Sequence, residues 1–178
     1  MKNGLIINER SYQNRINNAQ GHLIEGEVMR GCMYYKEQGF ADIDKTPEPF
    51  RVIKKGTRGI FTGQFTKSKA QPDFKGTMRG GKTIVFEVKS TQEDNIKQSV
   101  LSEKQSATLE SYYNLGAISF VLVAIQDEFF TVPWDLWRDM KEYFGRKYVK
   151  AIDLERYHVK YSLRVCFLDK VFLIKVKE

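Results

Sequence analysis

Apolar residues recur along this chain with two different periods, and the changes of period mark out its elements. From Gly21 to about Gln38, Ile24, Val28, Cys32 and Tyr35 fall at the spacing of a helix that buries one stripe, and Gly39 follows as a stop signal. Pro47 and Pro49 then interrupt regular structure. Phe50 to Lys54 reads as a strand. Lys55 to Ala70 is an extended, glycine-punctuated excursion rather than a core element. Gln71 to Lys75 is a short strand candidate, Gly80-Gly81 marks a turn, and Lys82 to Lys89 is a strong strand of β-branched and aromatic residues.

The period then lengthens again. Gln98 to Leu115 reads as an amphipathic helix with Leu101, Leu109 and Tyr112 on its buried stripe. Ala117 to Ile125 is almost wholly apolar, as a central strand buried on both faces must be. Glu128 to Val132 continues as a strand, and Pro133 to Phe144 is a helix with proline near its first turn, where a missing amide costs little. A short helical piece around Asp153 to Arg156 and an apolar tail from Phe172 to Val176 complete the chain. The order of elements predicts an α/β domain with a mixed sheet. Residues 1–18 form a polar, Asn-rich arm carrying Arg10 and Arg15, either a frayed terminus or a DNA contact. Residues 19–178 form a single domain with an insertion around 55–70.

Composition narrows the chemistry. Among 178 residues, 29 Lys and Arg against 22 Asp and Glu leave a net charge of +7, which suits a polyanionic partner without specifying a fold. Cys32 and Cys166 are the only cysteines, too few for a disulfide scaffold and wrongly spaced for zinc, and both sit among apolar neighbours. Only two histidines, His22 and His158, argue against histidine-rich metal sites and Ser-His-Asp chemistry. No run approaches membrane-spanning length and no signal peptide opens the chain, so the expectation is a soluble, cytoplasmic protein.

The informative stretch is Pro72-Asp73, then thirteen residues, then Glu87-Val88-Lys89. Side chains two apart on a strand face the same way, roughly 6.5–7 Å from each other, so Glu87 and Lys89 project together while Phe86 and Val88 face the core. The Gly80-Gly81 turn folds the strand bearing Asp73 back beside them. Two carboxylates and one ammonium thus converge. Mg²⁺ prefers hard oxygen ligands, and one or two carboxylates plus waters are its usual protein contribution. A metal held by Asp73 and Glu87 would activate water and polarise a phosphoryl oxygen, with the Val88 carbonyl a further ligand and Lys89 orienting the water or stabilising the transition state. A bare Glu-x-Lys is common and is usually a solvated pair on a strand face. The added Pro-Asp, glycine turn and following helix make this pattern more selective.

Those residues resemble the signature of the PD-(D/E)XK nuclease superfamily, and the resemblance extends to the RecU-type Holliday-junction resolvases. Gly21-His22-Leu23-Ile24-Glu25 is similar to that family's first-helix Gly-x-x-Leu/Ile-Glu segment. Thr46-Pro47-Glu48-Pro49 is similar to its lead into the first strand, the basic segment from Lys55 to Ala70 falls at its projecting stalk, and Glu103-Lys104-Gln105 matches its His-Gln region. The sequence departs from the family at Gln71 and Pro72, where threonine is frequent. The resemblance implies a restriction-endonuclease-like mixed sheet flanked by helices, with a projecting basic stalk. It implies Asp73 and Glu87 as metal ligands, Lys89 as the catalytic lysine, and Gln105 near the metal, directly or through water. Glu25 would hold a metal-bound water or orient Lys89, unless it is an ordinary helix-surface acid.

The expected cofactor is Mg²⁺, with Mn²⁺ substituting, and the expected partners are four-way or branched DNA and a second copy of the chain. Lys54, Lys55, Arg58, Lys67 and Lys69 cluster in the glycine-punctuated stretch and suit phosphate contacts, with Phe61 or Phe65 packing on exposed bases. A mobile charged loop is the blander reading. The expected activity is Mg²⁺-dependent junction resolution in DNA recombination and repair. A restriction-like or repair endonuclease acting on duplex DNA, or a catalytically silent DNA-binding module, are the alternatives.

Overall fold

The computed structural model describes residues 21–47, 50–65 and 71–174. The predicted arm over 1–18, and Lys67 and Lys69 of the basic segment, lie outside them. Helix α1 (residues 21–37) buries Ile24, Val28, Cys32 and Tyr35 as the spacing predicts. It ends because Gly39 takes φ 64°, which lets the Gly39 amide bond Lys36 and the Phe40 amide bond Tyr35. Burial pushes the Cys32 thiol up to about 12, so it is an inert core group, and both cysteines are free.

A six-stranded mixed sheet forms the centre. Its strands are β1 (Ala41–Lys45), β4 (Phe74–Met78), β5 (Thr83–Thr91), β7 (Ile118–Ile125), β8 (Glu128–Pro133) and β10 (His158–Val159), in that spatial order. β5 and β7 are parallel, so a crossover must join them, and α2 (Glu103–Asn114) lies within it. The other neighbours in the sheet are antiparallel. β4 fits closely against β1 only because residue 76 is glycine: a Cβ there would stand 2.0 Å from the Asp42 carbonyl oxygen.

Both faces of the sheet are covered. On one, α1 and the turn around Phe167 pack on Phe74, Phe86 and Phe120, whose rings stack at 4.9 and 4.6 Å. On the other, α2, α3 (Trp134–Arg138) and α4 (Met140–Phe144) cover Val85, Val121, Val123 and Val132. All eight residues of β7 are buried, as its continuous apolar run requires. Away from this sheet, β2 (Phe50–Lys55) and β3 (Phe61–Phe65) form a two-stranded ribbon. β6 (Asn95–Lys97) and β9 (Tyr148–Lys150) form a second.

Several boundaries differ from expectation. α2 begins at Glu103, not Gln98, because Asn95 to Val100 form β6 and a single helical turn, and Ser102 then caps the helix proper. The predicted helix over Pro133 to Phe144 is two short helices broken at Asp139, whose backbone lies at φ −97°, ψ 25°. β1 has no counterpart in the sequence pattern: Ala41 and Ile43 alternate with exposed acids over too few residues to stand out. The strand predicted over Gln71 to Lys75 starts at Phe74, which leaves Asp73 just outside the ladder.

Candidate active site

β4 and β5 pair with Phe74 opposite Phe86 at the end of their ladder. One step further along the same register lie Asp73 and Glu87, and directly opposed residues place their side chains on the same face. The Asp73 carboxylate accepts the Val88 amide at 2.9 Å, so a side chain takes over the bond that a longer β4 backbone would have made. The Thr46 amide, just past β1, holds the Asp73 carbonyl at 2.8 Å. Asp73 is thereby clamped from both neighbouring strands.

Lys89 joins the two acids. Its Nζ lies 3.3 Å from Glu87 Oε2 and 3.7 Å from Asp73 Oδ2. The surroundings differ from a solvated strand face, the common fate of Glu-x-Lys: Glu87 is 0% exposed, under α2, while Asp73 and Lys89 side chains keep 28% and 20% of their surface. Burial, and then the neighbouring Asp73 charge, push the Glu87 carboxyl up to about 8 against the smaller opposing pull of Lys89. Its Oε1 has no hydrogen-bond partner. A buried carboxylate with one oxygen unmatched is costly unless a cation meets it.

That unmatched oxygen fits a divalent cation. Asp73 and Glu87 could supply two carboxylate oxygens. A strand residue sends its amide and carbonyl to the same edge, so the Val88 carbonyl leaves on the side where its amide meets Asp73. Among the described residues no group of three or more His, Cys, Asp or Glu side chains gathers to hold a metal. A two-carboxylate site completed by a carbonyl and waters is the type Mg²⁺ accepts, since it dehydrates reluctantly.

Gln105 reaches the site from α2. Its Nε2 donates to Glu87 Oε2 at 2.5 Å, while its Oε1, the atom able to ligate a cation, faces Ser102. Glu25 lies half-buried on α1 and is engaged by Lys45 at 2.5 Å and by His22 at 3.6 Å. Lys45 stands opposite Phe74 in the β1–β4 ladder, which puts Glu25 toward the Asp73 end of the sheet. Gln71 accepts from Lys75 at 2.9 Å. Two partners escaped sequence reasoning. Ser102 was legible as the first residue of a Ser-x-x-Gln capping box, whereas nothing local marks Lys45.

In the β2–β3 ribbon, Lys54, Lys55 and Arg58 are exposed and Phe61 is 55% exposed. Arg58 and Gly59 turn the chain at φ 57° and 77°. Phe65 ends β3, paired with Phe50. Among the described residues, no helix is long and apolar enough to cross a membrane.

The chain has relatives among known proteins. The Holliday junction resolvase RecU of Ligilactobacillus salivarius is 28% identical over 172 residues, spanning 87% of this chain and 78% of that protein. The Holliday junction resolvase RecU of Bacillus pumilus is 26% identical over 179 residues, spanning 93% and 84%. Among solved structures, that of Archaeoglobus fulgidus Hjc, a Holliday junction resolvase from an archaeal hyperthermophile, is 13% identical. It covers 62% of this chain and 73% of that one with a TM-score of 0.39. The sequence model of the family described as RecU, Recombination protein U, matches residues 19–173, and the chain belongs to that family.

Proposed function

We propose that this protein is an Mg²⁺-dependent, structure-selective endodeoxyribonuclease that resolves Holliday junctions by paired phosphodiester hydrolysis in DNA recombination and repair. One observation carries the reading. In a chain of the RecU family, Asp73, Glu87 and Lys89 meet where the β4–β5 ladder ends, with a buried Glu87 oxygen unmatched. The curated relatives of that family are themselves Holliday junction resolvases by name.

In this reading Asp73, Glu87 and the Val88 carbonyl hold the cation, with Mn²⁺ able to replace Mg²⁺. When bound, the ion supplies a more acidic water and offsets charge on the phosphoryl oxygen. The chain's own residues do the rest. The Val88 amide keeps Asp73 in one orientation. The Gln105 amide nitrogen steadies the Glu87 anion, so Gln105 acts on the ion through Glu87. Lys89, held between the acids, has three N–H donors to orient the attacking water or stabilise charge on the transition state. Glu25 is proposed to hold a water at the site's edge; it lies on α1, across the sheet from the face that Glu87 and Lys89 enter, and its Lys45 partner sets it toward the Asp73 end of β4.

The β2–β3 ribbon is proposed as the DNA-contacting stalk, with residues 19–178 as a single domain around it. Lys54, Lys55 and Arg58, with Lys67 and Lys69 beyond, meet phosphates, while Phe61 and Phe65 pack on exposed bases. A junction is nearly twofold symmetric and needs two symmetric nicks, which a C2 homodimer supplies. Two-stranded ribbons are marginal alone, and Val52, Ile53 and Ile60 are exposed on this one, which supports a covering partner.

A labelled mobile four-way junction, a fork and a linear duplex, each digested with and without Mg²⁺, test the proposal. Paired nicks on the junction alone are expected. Equal cutting of duplex would point to a duplex endonuclease, and no cutting with either Mg²⁺ or Mn²⁺ would reduce the protein to a DNA-binding module. Light scattering that finds only monomer at working concentration would overturn the paired-nick mechanism.

A further inference from the structure

Ser102 stands immediately before α2 and shares a reciprocal cap with Gln105. Its Oγ accepts the Gln105 backbone amide at 3.3 Å. In return Gln105 Oε1 accepts from the Ser102 amide and from the Ser102 hydroxyl, each at 3.1 Å. In a capping box the side chain at this helix position reaches back to the backbone amide of the capping residue. Here the other end of the same amide donates to Glu87 Oε2 at 2.5 Å. A carboxamide has one acceptor end and one donor end. Securing its oxygen on Ser102 therefore decides that nitrogen, not oxygen, faces the acid. With the amide reversed, oxygen would oppose the Glu87 carboxylate and donors would oppose donors at Ser102.

We infer that Ser102 is a positioning residue for the acid pair. By holding the Gln105 carbonyl oxygen, it turns the Gln105 NH₂ onto Glu87 and fixes the Glu87 orientation in which Oε1 is left for a cation. The inference rests on the metal-dependent nuclease reading of this site. It links the start of α2 to the acid in the middle of β5 through one side chain that serves both.

Two substitutions separate this role from ordinary helix capping. Ser102→Thr keeps both an acceptor for the Gln105 amide and a hydroxyl donor for its Oε1. Ser102→Asp keeps the acceptor and places favourable negative charge at a helix N-terminus, but an ionised carboxylate has no proton to give to Oε1. Ser102→Asp should melt at or above the wild-type temperature, and Ser102→Thr within a few degrees of it. Junction cleavage and Mn²⁺ affinity, measured by calorimetry, should stay within about twofold for Ser102→Thr and fall about tenfold or more for Ser102→Asp, as for other partners of metal-binding residues. In a Gln105→Ala background, Ser102→Asp should have no further effect. The inference is overturned if Ser102→Asp keeps wild-type cleavage and Mn²⁺ affinity. It is equally overturned if the loss is undiminished in the Gln105→Ala background, since added charge alone would then be the cause. Failure of the wild type to cut any junction would instead sink the nuclease reading, while the Mn²⁺ titrations of the same variants still decide what Ser102 does.

Discussion

Phe86 and Glu87 are consecutive on β5, equally buried, and they enter opposite faces of the sheet. Phe86 lies stacked between Phe74 and Phe120 with Phe167 against it, in an apolar layer where each contact favours folding. Glu87 enters the face beneath α2 beside a second acid and one lysine, with an oxygen left unmatched. Burying a carboxylate this way costs free energy that the Lys89 pair only partly offsets. The comparison teaches where stability and chemistry are divided: one face of a single strand holds the domain together, and the other keeps an acid poised for a cation because the first face is secure.

The largest effect should come from the polar face. Asp73→Ala and Lys89→Ala are each expected to lower junction cleavage on the order of 10³-fold or more, as loss of a preorganised electrostatic group does, while leaving junction binding largely intact in gel-shift titrations. Cleavage within tenfold of wild type would remove these residues from the centre of the site.

Phe86→Ala attacks the other face. It should cost about 3–5 kcal/mol of stability in denaturant unfolding, the usual result of deleting a buried aromatic ring. A loss under about 1 kcal/mol would mean that the ring stack is not what secures β5.

Glu87→Gln sharpens the contrast through pH. The folded carboxyl sits near 8, above its ordinary value of 4.5, so the fold holds a proton that the unfolded chain has released. The stability this proton confers is complete below about 4.5 and is lost as pH rises through about 8. Without divalent cations, wild-type melting temperature should therefore decline across that window, and Glu87→Gln should flatten the decline while abolishing cleavage. Parallel pH profiles for the two proteins would contradict the assignment. Since Mg²⁺ must displace the same proton, its apparent affinity should rise by up to about tenfold per pH unit below about 8.

The smallest effects belong to the β2–β3 ribbon, outside both faces. Arg58→Ala and Lys55→Ala should change stability by no more than about 0.5 kcal/mol, yet each should reduce the salt dependence of junction binding by roughly one slope unit. An unchanged slope would exclude direct phosphate contact.

What local patterning settles is legible before any fold is known. The helical stripe of α1, the wholly apolar β7 and the Asp73…Glu87-Val88-Lys89 spacing are properties of short segments, because burial period and strand alternation act between near neighbours. β1, β6 and β9 were not legible, being three to five residues long and stabilised by distant partners: β1 by β4, and β6 by β9 across more than fifty residues. The break at Asp139 was likewise hidden in a run that is helical by composition.

The chain by itself determined which acid and which amine stand two residues apart on one strand, since strand geometry makes that placement automatic. Only the tertiary structure decided that this strand face is covered rather than wet, because α2 arrives there through a crossover of residues distant in sequence. That covering excludes water from Glu87, raises its proton affinity and brings Gln105 and Ser102 to it. A common tripeptide becomes a candidate metal centre through its surroundings, and those surroundings are non-local.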